Sequence, residues 1–280
     1  MGWWMSWVRT SSNTATRALG LRTPGGTVVG QQSFGVVGSY TRVSLTVDSG
    51  AATNLVFFAR LTATGDTWIQ IDDVSVVGPV ATSTSLTASE SPSAHGQPVT
   101  FTATVAPAPA AGETITFHDG ADQLGTATTD AAGVATLTTS ALAVGPHSIT
   151  ATYAGSETLL ASTSPPLAHT VDQAATITAP VSSSANPSVH GDPVTFSTTV
   201  APQAPGAGVP TGTVEFFDGT TSLGTAPLVD GQASLTTTAL ARGTHEITAV
   251  YSGDGSFVAS DSSAAPLTQT VDKRRGPKPR

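Results

Sequence analysis

One stretch of this chain is written twice. His95-Gly96-Gln97-Pro98-Val99-Thr100-Phe101 begins a 13-residue segment that returns 95 residues later as His190-Gly191-Asp192-Pro193-Val194-Thr195-Phe196, with ten of the 13 positions identical. The correspondence continues with Phe117-His118-Asp119-Gly120 against Phe216-Phe217-Asp218-Gly219. It resumes at Gly145-Pro146-His147 against Gly243-Thr244-His245 and closes at Thr170-Val171-Asp172 against Thr270-Val271-Asp272. A period of roughly 95–100 residues exceeds any solenoid unit and matches one self-sufficient β-sandwich. The chain is therefore read as a string of domains: 1–79, 80–173 and 174–272, followed by a basic tail, 273–280, expected to be disordered.

Composition narrows the class. Charged residues make up 11% and aromatics 6%, and Pro and Gly are plentiful. That texture suits half-buried antiparallel strands joined by tight turns. The chain has no cysteine, which excludes disulfides, thiolate catalysis and cysteine-based zinc sites. Residues 80–272 carry fifteen acidic side chains against one basic, Arg242, whereas the last eight residues hold five basic ones. An acidic rod of this kind repels nucleic acid and anionic lipid, so neither is expected as a partner. No apolar run reaches 18 residues, so no membrane-inserted helix is expected. The first residues lack the basic-then-apolar order of a signal peptide.

Strand signals run the whole length. Residues 1–79 alternate: Trp3, Met5 and Trp7 share one face of a strand, while Trp4, Ser6 and Val8 share the other. Further strands are expected near 27–29, 42–47, 54–61 and 68–77. In the first repeat, seven strands are expected near 83–88, 98–105, 113–118, 123–128, 134–139, 147–153 and 166–171. Asp119-Gly120 and Asp218-Gly219 lie between alternating segments, where a hairpin demands positive φ. No helix longer than a turn is indicated. At about 3.3 Å per residue, strands of this length give a rod segment of roughly 30–40 Å per repeat.

Two resemblances follow from these residues. The His-Gly-x-Pro-Val-Thr-Phe strand, the Phe-x-Asp-Gly turn, the Leu-Gly-Thr strand, the Gly-x-His-x-Ile-Thr-Ala-x-Tyr strand and the closing Thr-Val-Asp resemble bacterial Ig-like repeats of surface and secreted proteins. Met5-Ser6-Trp7-Val8-Arg9, Gly26-Thr27-Val28-Val29-Gly30, the strand from Tyr40 to Val47, and Trp68-Ile69-Gln70-Ile71-Asp72-Asp73 resemble the C-terminal half of a jelly-roll carbohydrate-binding module. The implied fold is all-β: a partial jelly roll followed by two tandem Ig-like sandwiches. The early strands of such a module should precede Trp3.

Candidate chemistry concentrates in residues 1–79. All four tryptophans lie there. Sugar rings stack on aromatic faces, which makes Trp3, Trp4, Trp68 and Tyr40 the candidate carbohydrate-binding residues. Asp72 and Asp73 are the candidate metal ligands, because calcium takes several oxygen donors and related modules hold a structural calcium near their closing strand. No other cofactor is expected. Gly253-Asp254-Gly255 reads as a turn, with a cation loop as the alternative. The six histidines all fall in the two repeats; equivalent pairs such as His147 and His245 point to structural duty in both copies. No Gly-x-Ser-x-Gly elbow is present, and the five glutamates are scattered, so no catalytic residues are assigned. The resulting expectation is a monomeric, non-catalytic protein, extracellular or at the cell surface. Its repeats act as a spacer for a module that binds polysaccharide or surface glycan. A purely structural adhesin stalk, or the accessory region of a secreted glycoside hydrolase, is the alternative.

Overall fold

The structure, a computed structural model, describes residues 2–10, 16–22, 27–34, 41–47, 56–62 and 69–273. It is all-β, with no helix among the described residues.

The described residues of the N-terminal region form six strands: β1 (Gly2–Thr10), β2 (Thr16–Arg22), β3 (Val28–Phe34), β4 (Thr41–Val47), β5 (Val56–Thr62) and β6 (Ile69–Val77). They form two three-stranded sheets, β4-β1-β6 and β3-β2-β5, and every pairing is antiparallel. Strand β2 is not among the sequence expectations. Its only apolar alternation, Leu19 and Leu21, is interrupted by Gly20 and flanked by Arg17 and Arg22. In the fold Leu19 and Leu21 are fully buried. Gly20 matters by its missing Cβ, which would lie 2.7 Å from the Phe58 ring. The Arg22 guanidinium sits 5.9 Å from the centre of that same ring, within cation–π range.

The first repeat contains β7 (Ser83–Ala88), β8 (Ser93–Ala94), β9 (Val99–Ala106), β10 (Thr114–Asp119), β11 (Asp122–Thr128), β12 (Val134–Thr139), β13 (Gly145–Tyr153), β14 (Ser162–Thr163) and β15 (Leu167–Asp172). One sheet runs β12-β9-β7; the other runs β11-β10-β13-β15-β8, with β14 added on β13. The short β8 pairs parallel to β15, so the opening segment of the repeat serves both sheets. All seven expected strands are present within two residues. The two extra strands, β8 and β14, are only two residues long, too short for a periodicity to register.

The second repeat contains β16 (Thr176–Thr178), β17 (Ser182–Ser183), β18 (Ser188–Val189), β19 (Val194–Pro202), β20 (Thr213–Asp218), β21 (Thr221–Pro227), β22 (Gln232–Thr237), β23 (Gly243–Tyr251), β24 (Ser260–Asp261) and β25 (Leu267–Asp272). Its second sheet, β18-β25-β23-β20-β21, reproduces the first repeat. Its opening strand does not: where β7 is continuous, the second repeat splits into β16 and β17. One additional residue and Pro180, which cannot donate to the ladder, account for the break. Val181 still reaches the core, and Thr198 Oγ1 donates to the Ala179 carbonyl at 2.6 Å.

Alternation builds the cores. Along β9, Val99, Phe101, Ala103 and Val105 point inward, while Thr100, Thr102 and Thr104 stay half-exposed. Phe101, Phe117, Ile149 and Tyr153 are sealed in the first repeat, as are Phe196, Phe216, Ile247 and Tyr251 in the second. Each buried side chain of this size contributes about 1.5–3 kcal/mol. On the outer face, hydroxyls pair across strands: Thr100 with Thr138 and Thr195 with Thr236, both at 2.8 Å. The Asp-Gly hairpins close as expected, with Gly120 and Gly219 both at φ 56°.

Candidate functional site

The residues singled out by sequence divide by location. Trp3 and Trp4 lie on β1; Trp3 is registered with Thr46 and Val77, and Trp4 with Leu45 and Val76. Asp72 and Asp73 lie on β6, at the point where the β1–β6 register shifts between Met5 and Trp7. There two residues of β6, Asp73 and Val74, face Ser6 alone, which is a bulge. Tyr40 and Trp68 lie outside the described residues.

The clearest side-chain constellation falls in the repeats, and it is duplicated. Asp119 ends β10 and His147 lies near the start of β13. The His147 Nδ1–H donates to Asp119 Oδ2 at 2.6 Å, and Nε2–H donates to the Ala143 carbonyl at 2.8 Å. Asp119 Oδ1 accepts the Ser148 N–H at 3.0 Å. In the second repeat His245 bonds Asp218 at 2.6 Å and the Ala241 carbonyl at 2.9 Å. A carboxylate and a carbonyl both only accept, so the ring fills both bonds only as the doubly protonated imidazolium. Burial by itself lowers the His147 pKa; the Ala143 carbonyl and Asp119 outweigh it, and the net value lies above the ordinary 6.5. His245 is raised by the matching balance with Ala241 and Asp218. Burial by itself raises the Asp119 pKa, but the hydrogen bonds from His147 and Ser148 hold its carboxyl below its usual value. Each pair ties the hairpin that follows β10 or β20 to the neighbouring strand of the sheet, β13 or β23. Its sequence signal was available: the Asp of Phe-x-Asp-Gly and the His of Gly-x-His occur in both copies, 28 and 27 residues apart.

A second histidine acts in the opposite sense. His169 is 1% exposed; its Nε2 meets Ser93 Oγ at 2.9 Å, and its ring packs edge-on against Phe101. Burial, and then repulsion from His147, push its pKa below 6.5. The Ser–His contact lies inside the sandwich, where no substrate reaches it. In the second repeat Gln269 takes this place and donates to the Ala185 carbonyl at 2.8 Å and to Ser188 Oγ at 3.1 Å. A measurable asymmetry follows. A raised His pKa gives stability that is complete below the unfolded value and is lost as pH rises through the folded value. A depressed His pKa gives stability that is complete above the unfolded value and is lost as pH falls. The second repeat, with His245 and no counterpart of His169, is expected to weaken steadily as pH rises from about 6 to 8. In the first repeat His147 and His169 oppose each other, and the profile is flatter. Urea unfolding across this range checks the sign, and His169→Gln should steepen the first repeat's profile to match the second.

Asp254 organises one end of the second repeat. Its Oδ2 accepts the Thr211 N–H at 2.9 Å and the Thr211 hydroxyl at 2.6 Å; its Oδ1 accepts the Ser256 and Phe257 N–H groups at 2.7 and 2.8 Å. Burial opposes ionisation, but these four bonds outweigh it and lower the pKa to about 2. The Gly253-Asp254-Gly255 segment is thus a turn held by one carboxylate. Among the described residues no group of three or more His, Asp or Glu side chains converges.

The bulge at Pro180 leaves an open groove of about 460 Å³ lined by Pro180, Ser182, Ser197, Thr199, Gln232 and Ser234. Ser197 and Ser234 hydroxyls already bond each other at 2.8 Å, and Ser182 Oγ donates to the Ser197 carbonyl. The groove is polar and uncharged.

Two stacked-sheet repeats with closed cores, each with its opening segment shared between sheets, define an Ig-like sandwich class. Residues 86–172 and 181–272 match the bacterial Ig-like domain (group 3) family. The chain belongs to that family. No curated protein matches it by sequence. Among solved structures it is similar to the adhesin InvE of Yersinia pseudotuberculosis, at 17% identity and TM-score 0.35, over 66% of this chain and 58% of that one. It is also similar to FdeC, an Escherichia coli adhesin, at 16% identity and TM-score 0.30, over 95% of this chain and 85% of that one. The ectodomain of mouse nectin-like molecule 4 shows 12% identity and TM-score 0.30, over 97% and 96% of the two chains. No helix among the described residues is long and apolar enough to cross a membrane.

Proposed function

We propose that this chain is a non-catalytic protein of the cell surface or extracellular space, in which two Ig-like repeats serve as a spacer. The observation that carries this reading is duplication of duty. Both repeats commit equivalent residues to equivalent structural tasks: Phe101 and Phe196, Phe117 and Phe216, Tyr153 and Tyr251 to the core, and Asp119–His147 and Asp218–His245 to the same cross-strand tie. A binding or catalytic site that evolves in one copy leaves an asymmetric cluster of polar groups around a cleft. Here the Asp–His pairs recur in both copies, and the groove at Pro180 is lined by uncharged side chains. The acidic balance of residues 80–272 fits a solvated spacer that resists self-association.

Residues 1–79 are the module such a spacer would present. The proposed ligand is a polysaccharide or surface glycan, taken by Trp3, Trp4, Trp68 and Tyr40, with calcium held at Asp72 and Asp73. Isothermal titration with soluble glycans, followed in parallel by tryptophan fluorescence, tests it. All four tryptophans lie in this region, so a quench or blue shift reports there alone. Heat and a fluorescence change that both vanish in Trp3→Ala/Trp4→Ala support the module. No heat and no spectral change with any glycan leave a stalk without sugar affinity.

A further inference from the structure

The join between the two repeats is built, not merely short. Ala174, which opens the second repeat, is fully buried and pairs with Phe257, as Val80 pairs with Leu159 in the first; its N–H donates to the Ser256 carbonyl at 3.0 Å, and its carbonyl accepts the Val258 N–H at 2.9 Å. Gln173 Nε2 donates to the Asp254 carbonyl at 2.7 Å. The far end of the first repeat is then clasped. Ala94 packs against the second repeat's core. The His95 ring meets Phe257 edge-on, with centroids 5.4 Å apart and planes at 88°. Ala207 N–H donates to the His95 carbonyl at 3.1 Å. Gly96 lies so close that a Cβ there would stand 2.2 Å from the Ala207 oxygen.

The clasping loop is specific to the second repeat. Between Pro202 and Thr213 it has ten residues, where the first repeat has six between Pro107 and Thr114. The longer loop is braced internally by the Gly206 N–H to the Gln203 carbonyl at 3.0 Å, and by Asp254 at Thr211. The first repeat also has Leu159 where the second has Phe257. On the other side, the equivalent of His95 is His190, which is exposed and turned to the Leu240 carbonyl at 3.0 Å. The same position in the repeat thus has two fates, set by whether a neighbour's loop covers it.

We propose that the long loop, with Phe257 and His95, locks the two repeats into a single stiff unit with a fixed mutual orientation. Stiffness at this joint stands whether or not the N-terminal region binds sugar. The chain has no native cysteine, so Ala121→Cys and Thr220→Cys place one spin label on the equivalent hairpin tip of each repeat. Double electron–electron resonance on the full chain should give one narrow distance distribution. His95→Ala should broaden it and raise the undocked population roughly two- to tenfold, the range that an edge-to-face ring pair supplies. His190→Ala, at the same position of the uncovered end, should leave it unchanged. His95→Phe keeps the edge-on contact and should keep the distribution narrow. A broad distribution with His95 intact, or equal distributions in the His95→Ala and native chains, would overturn the proposal. Thermal melts of each variant accompany the measurement, so that loss of fold is distinguished from loss of docking.

Discussion

Phe216→Ala is expected to remove about 3–5 kcal/mol from the second repeat and to leave the first repeat's unfolding transition in place. Phe216 is fully buried among Phe196, Val214, Ile247, Ala249 and Tyr251. Truncation deletes the ring's transfer free energy and leaves a cavity that strands pinned on both sides cannot close. Native domains hold only about 5–15 kcal/mol in total, so the variant loses a large share of it. Phe117, the counterpart in the first repeat, is likewise 0% exposed but belongs to a different buried cluster, with Phe101, Ile115, Ile149 and Tyr153. The two substitutions should therefore be mirror images in scanning calorimetry: Phe117→Ala lowers one transition and Phe216→Ala the other. A single transition that moves equally in both variants would show that the joint at Ala94 and Phe257 couples the repeats into one cooperative unit. That result would contradict independent cores while strengthening the case for a stiff joint.

What was legible in the sequence was what both copies repeat. The strand alternation, the Asp-Gly hairpins and the closing Thr-Val-Asp strands are local patterns. Duplication marks which residues both folds need, and His147 and His245 make the same two bonds in each copy. Equivalence misled at His95 and His190. Equivalence predicts the same structural duty for both, but one is covered by a neighbouring repeat and the other is exposed. Nothing local distinguishes them; the difference comes from a loop more than a hundred residues downstream of His95. Pro180 is a similar case. It precedes Val181, which takes the core position that Leu86 takes in the first repeat, and the consequence is a broken strand and a groove, because backbone pairing, not side-chain pattern, fails there. In residues 1–79 the alternation gave most of the strands but missed β2. Its two buried leucines sit around a glycine that is needed for close approach by Phe58.

Asp254→Ala is expected to destabilise the second repeat by about 2–3 kcal/mol at neutral pH, because hydrogen bonds to a charged acceptor are among the stronger ones and four donors lose their partner together. Asp254→Asn should lie close to it: one amide oxygen cannot serve Thr211 on one side and Ser256 and Phe257 on the other. The pH dependence carries a definite sign. A carboxyl whose folded pKa of about 2 lies below the ordinary 3.8 gives stability that is present above the unfolded value and is lost as pH falls through the folded one. The native second repeat should therefore weaken between about pH 4 and pH 2, and in this window both Asp254 variants should weaken less. Urea unfolding at pH 7, 4 and 2 reads both effects. The same experiment separates a turn from a cation loop. If Asp254 held a cation, calcium would stabilise the native chain at pH 7 and the variants would be insensitive to it. With the carboxylate already engaged by four protein donors, added calcium should leave the native unfolding midpoint where it is. Because Thr211 belongs to the long loop and Phe257 to the His95 contact, Asp254→Ala should also broaden the inter-repeat distance distribution. His245→Gln weakens the second repeat without touching the joint, and it should leave that distribution narrow.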